Sequence, residues 1–140
     1  MMIKRFGALA ATVSLAVGLA ACGGDDESGG TEIVLTDYAF TPGDVTFEPN
    51  TEVEVTLQNS GTVLHEWVIL KPGVTISGSD ELPETEAEIL ADFVFWEDEV
   101  QPARTRTRTF TTPPPGTYQI VCVIDDHFEQ GMQGTLTVNA

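Results

Sequence analysis

Residues 117–138, TYQIVCVIDDHFEQGMQGTLTV, decide the fold and carry most of the chemistry of this chain. Their first six residues place apolar side chains on both faces of a strand, which is typical of a central strand in a sheet. Their last residues alternate between threonine and apolar side chains, as a half-buried strand requires. Between these two predicted strands, a short loop carries Cys122, His127 and Met132 in a C-x4-H-x4-M spacing.

The cysteine, histidine and methionine content of the chain fits one metal site. Apart from Cys22 and the first two methionines, the chain has only Cys122, His65, His127 and Met132. Each alone is an ordinary core residue type, but together they match a blue copper centre, which takes a thiolate and two imidazoles in a plane and a weak axial methionine sulfur. We therefore expect one copper ion at this loop, with His65 as the ligand from a distant strand.

Period-two patterns and turn signals continue along the rest of the chain. Residues 52–57 alternate strictly between polar and apolar types, and residues 63–70 are almost continuously apolar apart from His65 and Glu66. Turns rich in Pro, Gly and Asn separate these segments. This pattern indicates an all-β, antiparallel-rich β-sandwich.

Three segments depart from the simple strand pattern. Thr85 and Glu88 form a capping-box pair, which predicts a short helix over residues 84–95 whose apolar side covers an open part of the sandwich. Residues 96–99, WEDE, are expected to form a solvated acidic loop anchored by Trp96, with docking to a partner as the alternative. Residues 104–110, RTRTRTF, place three arginines on the side of the phenylalanine, which requires either a bulge or arginine stems that lie over apolar surface.

Residues 1–21 are predicted to be an export signal, because a basic pair precedes an apolar run with small residues near its end. The sequence LAAC at residues 19–22 resembles the lipobox of bacterial lipoproteins, in which the cysteine, here Cys22, becomes the lipid-bearing first residue. An ordinary signal peptide, or a disulfide between Cys22 and Cys122, would be the alternatives.

The remaining chain is predicted to be a tether followed by one domain. Residues 22–31 are rich in glycine and acid and form the lipidated, flexible tether, and residues 32–140 have the size of a single domain with one core. Without the leader, four Lys and Arg stand against 22 Asp and Glu, a formal net charge of −18. Such acidity disfavours nucleic acid and favours a basic protein partner or a salty environment, although it also serves solubility alone.

The stretch YQIVC at residues 118–122, followed by His127 and by GMQGTL at residues 131–136, resembles the signature of the cupredoxins, the small blue copper proteins of the plastocyanin, auracyanin and azurin type. Residues 59–69 resemble the segment that carries the first histidine of that family, and residues 38–42 resemble its early strand. The resemblance implies a cupredoxin-like Greek-key β-sandwich, here with one short helical insertion, and one type 1 copper ion per chain.

The sequence departs from the family pattern in two places. Asp125 and Asp126 stand where members often have Pro-Gly, and Glu66 stands where many have an asparagine that braces the ligand loop. Two carboxylates beside the metal are expected to favour Cu(II) and so lower the reduction potential. In place of the asparagine contact, a backbone amide is expected to reach the cysteine sulfur.

The resemblance implies a one-electron carrier of the cell envelope, extracytoplasmic and lipid-anchored, that cycles between Cu(I) and Cu(II). A filled coordination sphere leaves no place for a small-molecule substrate, so we expect no enzyme activity. The expected partner is a redox protein, such as a cytochrome or a membrane oxidase or reductase subunit, that meets an exposed edge of His127 beside Phe128. Two alternatives stay open: a copper-binding protein for envelope copper delivery or tolerance, and a structural envelope protein.

Overall fold

The alternating segments of the sequence form nine strands in the computed structural model, which describes residues 30–140. In chain order these are β1 (Thr31–Thr36), β2 (Ala39–Thr41), β3 (Asp44–Phe47), β4 (Glu52–Asn59), β5 (His65–Leu70), β6 (Val94–Val100), β7 (Thr105–Thr111), β8 (Gly116–Val121) and β9 (Gln133–Val138). The predicted signal peptide, the predicted lipidation site Cys22 and most of the predicted tether lie outside the described residues. Within residues 30–140, no helix has the length and apolarity needed to cross a membrane.

The strands form two sheets, with the orders β2-β1-β4-β7 and β3-β9-β8-β5-β6. Five strand pairs are antiparallel, whereas β1 with β4 and β3 with β9 are parallel. β8 is the middle strand of the five-stranded sheet, as its two apolar faces predicted. The predicted all-β, antiparallel-rich sandwich is confirmed.

The main core lies between the two sheets. Leu57, Trp67 and Ile120 are among its fully buried side chains, and Cys122 belongs to the same cluster. Burying a side chain of the size of leucine stabilises the fold by about 1.5–3 kcal/mol. The face of β8 that carries Ile120 into the core therefore also delivers Cys122 to the interior.

The insertion after β5 covers the outer face of the five-stranded sheet. It contains a 3-10 turn (Ser79–Glu81), one α-helical turn, α1 (Glu86–Glu88), and a π-helical turn (Ile89–Phe93). The predicted cap is present, since the backbone N–H of Glu88 donates to Thr85 Oγ1 at 3.4 Å. The helical segment ends at Phe93 rather than residue 95, because Val94 pairs with Leu70 as the first residue of β6. As predicted, its apolar side packs on the sheet, against a cluster that includes Val68.

The solvated loop expected at residues 96–99 is wrong, because this segment lies inside β6 and pairs with β5. The pairing turns Trp96 and Asp98 toward the main core, and Asp98 is only 9% exposed. Its Oδ2 atom lies 3.2 Å from Nε of Arg106 and 3.4 Å from Nε of Arg108, on the opposite sheet. Neither contact has hydrogen-bond geometry, so the attraction is between charges.

The arginines of β7 keep a regular register without the bulge considered above. Arg108 and Arg106 lie opposite Val55 and Leu57, two buried residues of β4, so their stems start on the core-facing side of the sheet. Their guanidinium groups reach the carboxylate of Asp98 at the edge of the sandwich. This ion pair joins the edge strands of the two sheets, with a nearly buried carboxylate and two partly exposed arginine side chains.

Candidate metal centre

Three donor side chains from separate elements meet at one end of the sandwich. Cys122 follows β8, His65 is the first residue of β5, and His127 lies in the loop between β8 and β9. His127 Nδ1 lies 3.3 Å from Cys122 Sγ and 3.3 Å from His65 Nδ1. The donor atoms of all three residues lie within 4.8 Å of one another, and all three residues are buried.

This donor set fits one copper ion. An imidazole nitrogen or a thiolate sulfur binds a metal at about 2.0–2.3 Å, so donors separated by 3.3 Å can share one ion. Two ring nitrogens and one sulfur, with no carboxylate among them, form the set typical of a blue, type 1 copper site. The structure thus brings together three of the four residues that the sequence predicted as ligands.

Met132, the fourth predicted ligand, is fully buried beside these donors. Its C=O accepts a hydrogen bond from Cys122 N–H at 3.1 Å, and its N–H donates to His127 C=O at 3.0 Å. Gly131, with a φ of 102°, lets the chain turn back at this point without side-chain strain. The loop therefore closes as the five-residue spacing predicted, and the role of Met132 as the axial ligand stays a prediction.

Asp37 orients His65 and was missed in the sequence, where it is distinguished only by its place just before residues 38–42, the stretch that resembles the early strand of the family. The carboxylate accepts from His65 Nε2 at 3.1 Å, and from Thr62 N–H and Oγ1 at 2.8 and 2.7 Å. The hydrogen bonds from Thr62 lower the pKa of Asp37 to about 2. Because an ionised carboxylate only accepts, the ring proton belongs on Nε2, which leaves Nδ1 of His65 free for the metal.

Burial shifts the pKa values of the donors in opposite directions. It lowers the pKa of His65, although a hydrogen bond from its ring raises that pKa, so the neutral imidazole that binds metals is favoured. Burial raises the pKa of the Cys122 thiol, the backbone amides of Glu66 and Ile124 lower it, and the charges of Glu66 and Asp125 raise it further. A metal ion that binds here therefore displaces the thiol proton.

Backbone and amide groups hold the surrounding loops. As expected, the Glu66 N–H points to the sulfur of Cys122, at 3.4 Å. Asn59, which was predicted only as part of a turn, is 1% exposed and donates to the carbonyls of Val63 and Val100 at 2.8 and 2.7 Å. This buried amide fixes the loop that leads into His65.

The expectation that the imidazole edge of His127 is exposed in an apolar patch stays a prediction, and Phe128 does not line such a patch because it is itself buried. His127 is only 5% exposed, and the ring of Tyr38 stands against it edge-on, with centroids 5.3 Å apart and an interplanar angle of 72°. Phe128 is 7% exposed and packs with the outer cluster beneath the insertion. The turn between β1 and β2 covers His127, a tertiary contact that no local pattern in the sequence indicates.

The sequence is similar to a known protein family and to individual proteins. Residues 7–138 match the model of the Cupredoxin-like domain family. Auracyanin-B of Chloroflexus aurantiacus is 31% identical over 113 residues, which cover 71% of this chain and 47% of that protein, so the chain spans about half the length of this relative. Auracyanin-A of the same organism is 28% identical and is matched over 96% of this chain and 97% of that protein.

Solved structures agree with the sequence relatives. A dithionite-reduced auracyanin from Roseiflexus castenholzii has a TM-score of 0.64 at 26% identity, and the match covers 79% of this chain and 96% of that one. Auracyanin A of Chloroflexus aurantiacus, described as a "blue" copper protein, has a TM-score of 0.61 at 24% identity, over 79% and 100% of the two chains. The predicted cupredoxin-like β-sandwich is confirmed by these structures.

Replacing Asp37 with alanine is expected to weaken copper binding about tenfold to a hundredfold, because His65 loses the group that fixes its tautomer and ring position. Competition between the metal-free protein and a chelator for Cu(II) measures the affinity. Asp44→Ala, at an exposed position of β3, is the matched control. An affinity for Asp37→Ala equal to that of the control would contradict this role.

Replacing Asp125 and Asp126 with asparagine is expected to raise the reduction potential by roughly tens of millivolts, the size of a solvated Coulomb interaction. The charge of Asp125 already acts at the sulfur, where it raises the pKa of Cys122, and the same field favours Cu(II). Asparagine also tolerates the positive φ of 45° at residue 125.

Protein-film voltammetry of the copper-loaded variants measures this shift. The control is the pair Glu52→Gln and Glu54→Gln, two exposed carboxylates near the start of β4, at the opposite end of that strand from Asn59. A midpoint potential in the Asp125 and Asp126 variant that moves no further than in the control would show that these carboxylates do not influence the metal.

Proposed function

Because the chain belongs to the cupredoxin-like family, we propose that it is a one-electron carrier with one type 1 copper ion, held by His65, Cys122, His127 and Met132. The observation that carries this proposal is the buried convergence of two imidazole nitrogens and one thiol sulfur, with separations of 3.3 Å from His127 Nδ1. Copper bound there supplies the exchange of one electron between Cu(I) and Cu(II).

The protein holds the donor side chains in place, so that they move little when bound copper changes its oxidation state. A backbone hydrogen bond joins Cys122, which directly follows β8, to Met132, which directly precedes β9. His65 is fixed from behind by Asp37, and the sulfur of Cys122 by the amide of Glu66. A site that stays in place in both oxidation states favours fast electron transfer, since little reorganisation opposes the step.

Burial of the donors supports electron transfer over enzyme catalysis and over copper delivery. The ligand set fills the site without an open position for a substrate, in contrast to catalytic metal sites, which keep one. Release of copper to another protein would need exposed, exchangeable donors, whereas His65 and Cys122 are fully buried here. The solved Roseiflexus auracyanin in its dithionite-reduced form shows that a protein similar to this chain undergoes reduction.

The location of the carrier is inferred from the sequence. Residues 1–21 have the character of an export signal, and Cys22 follows a lipobox-like sequence. We propose that the mature protein is anchored by lipid on Cys22 at an extracytoplasmic membrane face, with residues 23–29 as part of the tether that lets the domain reach membrane-bound partners.

Addition of Cu(II) to the metal-free protein is expected to give an intense blue absorption and narrow copper hyperfine splitting in EPR spectra, with saturation at one copper per chain. Both signals are lost in Cys122→Ser, because the thiolate is their source. The control Cys22→Ser keeps both signals and, when expressed in cells, moves from the membrane to the soluble fraction. A weak, broad spectrum unaffected by Cys122→Ser would mean that the copper is adventitious.

The acidic surface favours a redox protein with a basic face, such as a cytochrome or a membrane oxidase or reductase subunit. The rate constant of electron transfer with a basic mitochondrial cytochrome c is expected to fall several-fold when the ionic strength rises from about 0.01 to about 0.5 M, because salt screens the attraction. Stopped-flow spectroscopy measures it. A rate constant that does not fall would argue against charge-steered docking.

A further inference from the structure

Among the predicted copper ligands, His127 alone reaches the surface, and it does so over a small area. His65, Cys122 and Met132 are 0% exposed, and His127 is 5% exposed. Electron transfer between proteins slows steeply as the gap between donor and acceptor groups widens. A side chain that touches His127 on one side and solvent on the other therefore widens the path by which an electron reaches the surface.

Tyr38 occupies this position. Its ring lies edge-on against the ring of His127, with centroids 5.3 Å apart, a contact in the favourable range for aromatic pairs. The same side chain is 39% exposed. Val63, which is 40% exposed two residues before His65, adds a second apolar side chain on the loop that Asn59 holds. Tyr38 thus connects the buried imidazole of His127 with the molecular surface.

The backbone places this ring at some cost. Asp37 and Tyr38 form a two-residue turn between β1 and β2, since Thr36 pairs with Ala39. Tyr38 has a φ of 72°, a left-handed conformation that is unfavourable for a bulky residue and that glycine or asparagine adopts more easily. The three hydrogen bonds that Asp37 accepts hold the turn in place. A strained tyrosine in a turn suited to glycine points to a role for its ring.

We propose that Tyr38 is the positioning residue through which electrons pass between His127 and a redox partner, a step that rests on the copper-carrier function proposed above. The partner packs on the exposed face of the phenol ring, whose inner edge contacts His127. One electron leaves the protein and reduces the partner, or enters as the partner is oxidised. No bond forms or breaks, no proton moves, and Tyr38 itself is neither oxidised nor reduced.

The test compares Tyr38→Gly with Tyr38→Phe. Glycine suits the φ of 72° and keeps the turn while it removes the ring, and phenylalanine keeps the ring without the hydroxyl. Phe95→Ala, which truncates an aromatic side chain of similar exposure on β6, is the matched control. The rate constant of electron exchange between each copper-loaded protein and mitochondrial cytochrome c is measured by stopped flow.

Tyr38→Gly is expected to slow electron exchange by roughly tenfold to a hundredfold, the effect of losing close contact between reacting groups. Tyr38→Phe and Phe95→Ala are expected to stay within about twofold of the original protein. The blue absorption band and the reduction potential should change little in all three. A rate in Tyr38→Gly that is unchanged or faster would overturn the proposal and show that the ring only shields His127.

A measurement on the metal-free protein tests the covering contact independently. Diethyl pyrocarbonate is expected to modify one histidine faster in Tyr38→Gly than in the original protein, with peptide mapping assigning it to His127, whereas Tyr38→Phe stays protected. Equal reactivity in all three would overturn the proposal, because the ring would not cover His127. Failure of the protein to form a blue centre would instead contradict the copper-carrier function, whatever the result for Tyr38.

Discussion

The arrangement of three buried donors that face one another is the constraint on which this structure depends. Two imidazole nitrogens and a thiol sulfur point into one space, where Nδ1 of His127 lies 3.3 Å from each of the other two atoms. These donors stay in place because each of the three residues makes a further hydrogen bond to a neighbouring residue. Asp37 fixes His65, the amide of Glu66 fixes Cys122, and the backbone of Met132 closes the loop around His127. A single ion satisfies all three donors at once.

The sheet makes room for these donors by ending a strand pairing early. β5 and β8 are paired at Val68 with Val121 and at Ile69 with Ile120. One step further along, at Cys122, the register would continue, but the nearby N–H of Glu66 turns to the sulfur instead of a carbonyl oxygen. The site therefore lies where two central strands separate. Buried clusters lie on both faces of β8, since the insertion buries the outer side of the sheet.

The sequence predicted the elements whose signals are local. The alternation in residues 52–57 and 117–138 gave the correct strands, and the five-residue spacing of the loop placed Cys122, His127 and Met132 near one another. The one cysteine and two histidines of the domain are informative because a blue copper site needs these residue types together. The Thr85 cap was likewise correct, because capping depends on residues three apart.

The features that the sequence could not predict all depend on contacts between distant segments. Residues 96–99 have the acidic composition of a solvated loop. Asp98 is tolerated at a core-facing position because the arginines of β7 lie beside its carboxylate. Asp37 lies 28 residues from the histidine that it orients. Asn59 lies in a segment whose sequence is typical of a turn, and its hydrogen bond to the carbonyl of Val100 joins residues 41 positions apart. Polar residues at such positions carry no periodic signal.

A carrier site of this kind must exclude water from the metal and still exchange electrons at its surface. The near-complete burial of the donors meets the first need and opposes the second. In this protein a single two-residue turn serves both, since Asp37 holds the imidazole of His65 and Tyr38 stands against the imidazole of His127. The bonds that Asp37 accepts stabilise the turn and so offset the strained backbone of Tyr38. The orientation of one ligand and the cover of the other therefore cannot vary independently, because the same turn of backbone fixes both.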